Sequence, residues 1–279
     1  MQNYYNFRIY ASEKFEKMQQ VRAKKFLGQH FLKDLTVAQR IAETISSGRV
    51  LEIGPGMGVL TQFLLKNPNI DLTAIEIDRE SVAYLQEWYP ELHLIEGDFL
   101  KLELTTLYPE GEFCVIGNYP YNISSQIFFK MLDNKDLIPC CTGMIQKEVA
   151  ERITAKPGSK TYGILSVLLQ AWYDIEYLFT VDENVFNPPP KVKSGVIKLV
   201  RNNVTDLGCD ERLFKTVVKT SFGMRRKMLR SSLKSMFPQG SPVLATDLFR
   251  MRPEQLSVQQ FVDLTNMVAA ERNNDEQTK

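Results

Sequence analysis

Between about residue 34 and residue 200 the apolar positions keep switching period. Thr36–Ile45 repeats them at helical spacing, and Arg49–Ile53 then runs almost continuously apolar until glycine stops it. Spacing of three and four suits a helix with one buried face. A short unbroken run suits a strand buried on both faces. The alternation continues, with helices predicted at Leu60–Leu65, Ser81–Trp88, Ser125–Leu132 and onward from Lys147. Strands are predicted between them at Leu72–Ile77, Leu92–Glu96, Phe113–Gly117 and Cys140–Ile145. Strands alternating with helices predict a parallel sheet covered on both faces. Trp172–Val181 and Ser194–Arg201 are β-rich and flank Pro188-Pro189-Pro190, which predicts an antiparallel hairpin at the sheet edge.

After about 205 the rhythm is helical only. Arg212–Ser221, Arg225–Met236 and Val258–Ala270 carry it, separated by turns at Gly223, Pro238-Gln239-Gly240 and Arg252-Pro253. Residues 1–17 have no clear pattern, and purposeful sequence opens at Met18. The expected organisation is an N-terminal extension (1–21), an α/β domain (22–203) and a small all-helical C-terminal domain (204–279).

Composition narrows the class. With 279 residues, 44% hydrophobic and 24% charged, the chain has enough apolar material for more than one core, which excludes a disordered or fibrous class. The net charge of +1 means that affinity for nucleic acid must come from local clusters. Cys114, Cys140, Cys141 and Cys209 form no C-x-x-C pair, and His30 and His93 are the only histidines, so no metal site is expected. No signal-peptide h-region or membrane-length apolar run is present, and the expectation is a cytoplasmic protein with no membrane contact.

The chemistry gathers at strand ends. The first strand runs into Gly54-Pro55-Gly56-Met57-Gly58, a tight turn whose backbone a nucleoside can approach closely. Val59 stands where the dinucleotide fingerprint needs its last glycine, so a cofactor without a pyrophosphate fits better. Glu76 closes the second strand, at the offset where an acid takes ribose hydroxyls; Asp78 beside it reads rather as a helix N-cap. The third strand ends at Asp98-Phe99, an acceptor for an adenine amine with an aromatic ring next to it.

The fourth strand ends in Asn118-Tyr119-Pro120-Tyr121, of the form Asn-x-Pro-aromatic. The exocyclic amine of adenine is a poor nucleophile because its lone pair is delocalised into the ring. Two acceptors on its hydrogens localise that pair: the Asn118 side-chain oxygen and a backbone carbonyl of Tyr119 or Pro120, the latter stiffened by the proline. Tyr121 offers a stacking face. A sulfonium methyl donor, S-adenosylmethionine, needs no strong general base, so positioning carries the rate. Two basic clusters accompany this site. One is Arg22, Lys24, Lys25 and Lys33; the other is Lys219, Arg225, Arg226, Lys227, Arg230 and Lys234, with Arg226, Arg230 and Lys234 spaced as one helical stripe.

With these motifs together, the chain closely resembles the small-subunit ribosomal RNA adenine dimethyltransferases over about residues 22–265. The matching stretches are Lys24–Leu32, Glu52–Gly58, Glu76–Asp78, Gly117–Ser124, Gln146–Val149, Tyr162–Val167, Phe186–Ser194 and Phe222–Leu233. The resemblance implies a Rossmann-like class I methyltransferase sheet and dimethylation of two adjacent adenosines near the 3′ end of that RNA. The implied partner is the small ribosomal subunit or its precursor, met by a monomer. It implies that Gln29, His30 and Leu32 close over the cofactor, and that Gly54, Gly56, Glu76, Asp98, Phe99 and Asn118 contact it or sit at its edge. Asn118, Tyr119, Pro120 and Tyr121 would form the catalytic tetrapeptide, and Phe186 would stack on the target adenine opposite Tyr121. Arg22, Lys24, Lys25, Arg225, Arg226, Lys227 and Arg230 would bind RNA. Two positions depart from many members: His30 replaces Asn, and Tyr119 replaces Leu. The rival readings are a large-subunit RNA methyltransferase of the antibiotic-resistance type and a non-catalytic ribosome-assembly factor.

Overall fold

The computed structural model describes residues 21–109 and 111–277, with side chains up to 272. The proposed extension 1–21 lies almost wholly outside the described residues. In chain order the elements are β1 (Phe31–Leu32), α1 (Leu35–Ala42), β2 (Gly48–Ile53), α2 (Thr61–Leu64), β3 (Ile70–Glu76), α3 (Arg79–Trp88), β4 (His93–Glu96), α4 (Leu104–Leu107) and β5 (Cys114–Asn118). They continue as α5 (Ser124–Asp133), β6 (Cys140–Gln146), α6 (Lys147–Thr154), α7 (Ile164–Gln170), β7 (Tyr173–Val181), β8 (Phe186–Asn187), β9 (Ser194–Arg201), α8 (Glu211–Gly223), α9 (Leu229–Ser232) and α10 (Val258–Gln277).

Seven strands form one sheet in the order β4-β3-β2-β5-β6-β9-β7. The five from β4 to β6 are parallel, and β9 pairs antiparallel with β6. The central strands are buried on both faces: Val50, Leu51, Ala74, Val115 and Ile116 are fully or almost fully covered. That is why they read as continuous apolar runs rather than alternating ones. Each valine, leucine or isoleucine among them contributes ~1.5–3 kcal/mol by leaving water. Strand order reverses between β2 and β5, so the carboxyl ends of these strands border a crevice.

Polar residues fix where helices begin. Asp34 accepts from the Thr36 and Val37 amides at 2.9 and 3.1 Å and starts α1 one residue before the pattern suggested. Asp78 starts α3 in the same way, accepting from the Glu80 amide. β1 and β8 form a separate two-stranded ladder that pairs Leu32 with Phe186.

The chain divides into two compact units. One takes in the described residues up to Ala150 together with Glu176–Val200, and the other comprises Glu151–Ile175 and Arg201 onward. The second therefore includes α7, which packs on α8 and α10, whereas the sequence suggested a single cut after residue 203. Its core carries a ring series, Tyr162–Phe222–Phe261, with centroids 6.3 and 5.9 Å apart. The helix expected over Arg225–Met236 is not continuous. Met228 is extended, the Leu229 amide donates to the Met251 carbonyl, and only the short α9 and a 3-10 turn at Lys234–Met236 remain. The stripe Arg226, Arg230, Lys234 is thus not one helix face.

Candidate active site

The carboxyl ends of β2, β3, β4 and β5 open on a cleft whose empty volume, mouth included, is about 1150 Å³. All nine residues expected around the cofactor line it: Gln29, His30, Leu32, Gly54, Gly56, Glu76, Asp98, Phe99 and Asn118. Tyr119, Pro120 and Tyr121 line it too.

Its floor is the glycine turn. Gly54 and Gly56 have φ of +66° and +58°, a region that L side chains rarely adopt. A Cβ on Gly54 would meet nothing nearer than Pro120 Cδ at 4.0 Å, so it would project into open space between the turn and the tetrapeptide. A Cβ on Gly56 would press the Phe31 ring at 3.1 Å. The buried Glu76 carboxylate holds this turn. It accepts from the Gly56 amide at 2.9 Å and from the Ile77 and Asp78 amides at 2.9 and 2.8 Å. A carboxylate has about four acceptor positions, so one remains for a ligand hydroxyl. Burial pushes the Glu76 carboxyl above its ordinary range, against the pull of those three N–H groups. Asp98 spends one oxygen on the Leu100 amide at 2.9 Å, as a turn residue does, yet remains on the cleft wall beside the buried Phe99. This open cradle, lined by a buried acid, a second acid and an aromatic ring, fits an adenosine-bearing cofactor.

At the tetrapeptide, Asn118 Nδ2 donates to the His30 carbonyl at 3.0 Å. That bond fixes the amide and leaves Oδ1 to accept, and Asn118 lines the cleft. Tyr121 is half-buried, with its hydroxyl 2.5 Å from Ser194 Oγ; burial raises its pKa, with Ser194 opposing. The ring beside it is His30, at a centroid distance of 5.4 Å and tilted by 31°. His30 Nδ1 lies 2.8 Å from the Pro188 carbonyl, so Nδ1 is the protonated nitrogen. The substitution of His for Asn therefore adds a tie to the proline run, while the backbone carbonyl still serves Asn118.

Several expectations need correction. Phe186 is 1% exposed, does not line the cleft and packs in the core cluster with Leu32 and Val181, because its register in the β1–β8 ladder turns it inward. Tyr119, expected to act through its backbone carbonyl, has a side chain that points away from the cleft. It is buried beneath the sheet end, its hydroxyl 3.1 Å from Cys141 Sγ and 3.3 Å from the Thr142 carbonyl. Lys24 is committed to an ion pair with Asp78, with Glu80 at 3.3 Å, rather than held out for phosphate. Arg225 donates to the Lys160 carbonyl at 2.5 Å. Arg22, Lys25, Arg226, Lys227 and Arg230 are exposed.

Sequence reasoning missed the latch and one acid. Gln29 Nε2 donates to Asp78 at 3.1 Å, and Gln29 Oε1 accepts from the Lys24 amide at 2.8 Å, so Asp78 anchors the whole segment 24–32 over the cleft. The sequence offers Asp78 as a helix N-cap and, second to that, as a rival to Glu76 for the ribose, but not as an anchor. Glu52 lies in the middle of the apolar β2, 1% exposed, lining the cleft, and accepts from Thr61 Oγ1 at 2.7 Å. Burial pushes its carboxyl up to about 8. An acid inside a buried strand was the available signal.

A reversed parallel sheet with an antiparallel edge, a glycine turn and acids at successive strand ends define a class I S-adenosylmethionine-dependent methyltransferase. The chain matches the family model described as ribosomal RNA adenine dimethylase over residues 20–270. It is 66% identical over 253 residues to ribosomal RNA small subunit methyltransferase A of Parabacteroides distasonis, covering 89% of this chain and 94% of that one. The Bacteroides thetaiotaomicron protein of the same description is 64% identical over 256 residues, covering 90% and 96%. Among solved structures, a dimethyladenosine transferase from Plasmodium falciparum superposes with a TM-score of 0.69 at 27% identity, covering 86% of this chain and 98% of that one. The 23S rRNA methyltransferase ErmE superposes at 0.62 and 28% identity, covering 84% and 99%. The chain belongs to the ribosomal RNA adenine dimethylase family.

Proposed function

We propose that this enzyme dimethylates the N6 amines of two adjacent adenosines near the 3′ end of small-subunit ribosomal RNA, as a monomer in the cytoplasm, during maturation of that subunit. The observation that carries the reading is Asn118, a cleft-lining residue whose amide nitrogen is taken by the His30 carbonyl, which leaves Oδ1 to accept. When bound, S-adenosylmethionine supplies an activated methyl group on a positively charged sulfur. Asn118 Oδ1 and the Pro120 or Tyr119 carbonyl accept the amine hydrogens and localise its lone pair. Tyr121 gives the base a face to lie on, and Ser194 holds its hydroxyl. Glu76 takes the ribose, and Asp98 and Phe99 take the cofactor's adenine. The segment 24–32, tied to Asp78, excludes water from the reacting atoms. Arg22 and Lys25 in the first unit and Arg226, Lys227 and Arg230 in the second are exposed and would meet phosphates.

High identity over nearly the full length of small-subunit enzymes favours that substrate over large-subunit RNA. The test supplies labelled cofactor with unmethylated small subunits and, separately, with large-subunit RNA, and maps the product. Dimethyladenosine near the 3′ end of the small-subunit RNA is expected. Its absence there, or its appearance only in the large-subunit RNA, overturns the proposal.

A further inference from the structure

Phe26 is 77% exposed, and no other Phe, Tyr or Trp among the described residues is exposed. An aromatic ring left in water forgoes the stabilisation of burial, so its setting bears on why it is there. The setting is rigid. Phe26 sits in a 3-10 turn, Lys25–Leu27, that is fixed on both sides. Upstream and downstream, Lys24 and Gln29 both bind the buried Asp78. Within the turn, the Phe26 carbonyl accepts from Asn122 Nδ2 at 3.4 Å. Gly28 closes the turn at φ +67° against Asn122, where a Cβ would stand 2.4 Å from Oδ1. Asn122 directly follows the catalytic tetrapeptide, and Leu27 and Gly28 line the cleft. The ring is therefore presented at the cleft mouth by a backbone that is tied to the active site. Its exposed neighbours, Arg22 and Lys25, are cationic.

We propose that Phe26 is a stacking platform for the nucleotide adjacent to the target adenosine, with Arg22 and Lys25 on its phosphates. This rests on the function proposed above and adds a specificity determinant to it. Single-stranded nucleic acid is held by aromatic faces interleaved with cations, and a base needs only a π-face, not a hydrogen-bond code. For a substrate whose two target adenosines are neighbours, the platform receives one while the other is in the cleft. A side chain carried on a backbone that is fixed before binding leaves less entropy to be lost on binding.

The test uses the full chain with an unmethylated small-subunit RNA hairpin that carries 2-aminopurine beside the target adenosine. Phe26→Ala and Phe26→Tyr are compared with the parent. Stacking on Phe26 is expected to change the 2-aminopurine fluorescence on binding to the parent and to Phe26→Tyr, but not to Phe26→Ala. Phe26→Ala should also raise KM for the RNA roughly ten-fold or more, the size of one lost base–aromatic stack, with cofactor affinity by calorimetry unchanged. Equal fluorescence changes and equal KM in Phe26→Ala and parent overturn the platform. Parent protein that transfers no methyl group overturns the function proposed above, while the equilibrium fluorescence comparison still decides Phe26.

Discussion

Glu52 gives the sharpest quantitative test of the fold around the site. Glu52 is 1% exposed, and its carboxylate has Thr61 Oγ1 as its side-chain donor. Burial raises its pKa from the ordinary 4.5 to about 8. The folded protein then keeps a proton that the unfolded chain releases between those two values. The sign follows from linkage: the stabilisation is fully present below about 4.5 and is lost as pH rises through about 8. At ~1.4 kcal/mol per pH unit, the full effect has an upper bound of about 5 kcal/mol. Glu52→Gln removes the titration and keeps an acceptor for Thr61. The two proteins should be equally stable within ~1 kcal/mol near pH 5, and the variant should be the more stable by several kcal/mol near pH 8.5. Urea unfolding at a series of pH values measures this. The chain has two tryptophans, Trp88 in the first unit and Trp172 in the second, so a Trp172→Phe background reports the unit that contains Glu52. Stability curves that stay parallel from pH 5 to 8.5 refute a neutral, buried Glu52.

Three further outcomes follow from contacts at the site. Asn118→Ala should lower turnover by about two orders of magnitude with little change in cofactor affinity; unchanged turnover refutes the acceptor role. Gly143→Ala places a Cβ 2.3 Å from the Tyr119 ring and should cost ~1–3 kcal/mol by overpacking, most of it recovered by adding Tyr119→Leu, as a double-mutant cycle in denaturant would read. Asp78→Asn removes the charge that holds Lys24. Hydrogen exchange over residues 24–32 should rise and KM for the cofactor should increase, whereas exchange equal to the parent's shows that the latch does not hold the segment. Burial works to raise the Asp78 pKa, but Lys24, Gln29 and the Glu80 amide together keep it below the ordinary 3.8. The latch therefore persists above that range and is lost as pH falls through the depressed value.

The sheet was legible because its physics is written locally. A strand covered on both faces must be apolar throughout, and β2, β3, β5 and β6 are. The cleft residues followed, since in a parallel sheet the residues just past the strand ends share one edge. What sequence concealed depends on partners distant along the chain. The pattern over Arg225–Met236 reports which side chains are buried, but the Leu229 amide bonds to Met251, and periodicity is blind to that. Lys24 stands among cations and reads as part of a basic surface; only the fold brings Asp78 to it. Phe186 precedes a proline run and reads as ligand-facing, yet pairing with Leu32 turns its ring into the core.

Tyr119 shows how a departure from the family pattern is absorbed by packing. Its backbone must remain at the cleft, where Tyr119 and Pro120 present carbonyls, so the larger side chain can only go downward between β5 and β6. Register pairs Gly117 of β5 directly with Gly143 of β6. A Cβ at Gly117 would stand 2.8 Å from the ring and one at Gly143 2.3 Å from it, so the two missing side chains make the slot that the ring fills. Phe128 closes the slot edge-on at a centroid distance of 6.0 Å. The Tyr119 hydroxyl reaches Cys141 and the Thr142 carbonyl, so a polar atom is not left unpaired at the bottom. The ring thus braces from below the loop whose carbonyls accept the amine hydrogens. Leucine at this position lacks that ring, so a protein carrying it has less need of glycine at 143; at 117 a Cβ would in any case stand 2.6 Å from the Ile53 carbonyl oxygen. The tolerance of Gly143 to alanine should therefore depend on the residue at 119 and not on the chemistry in the cleft above it.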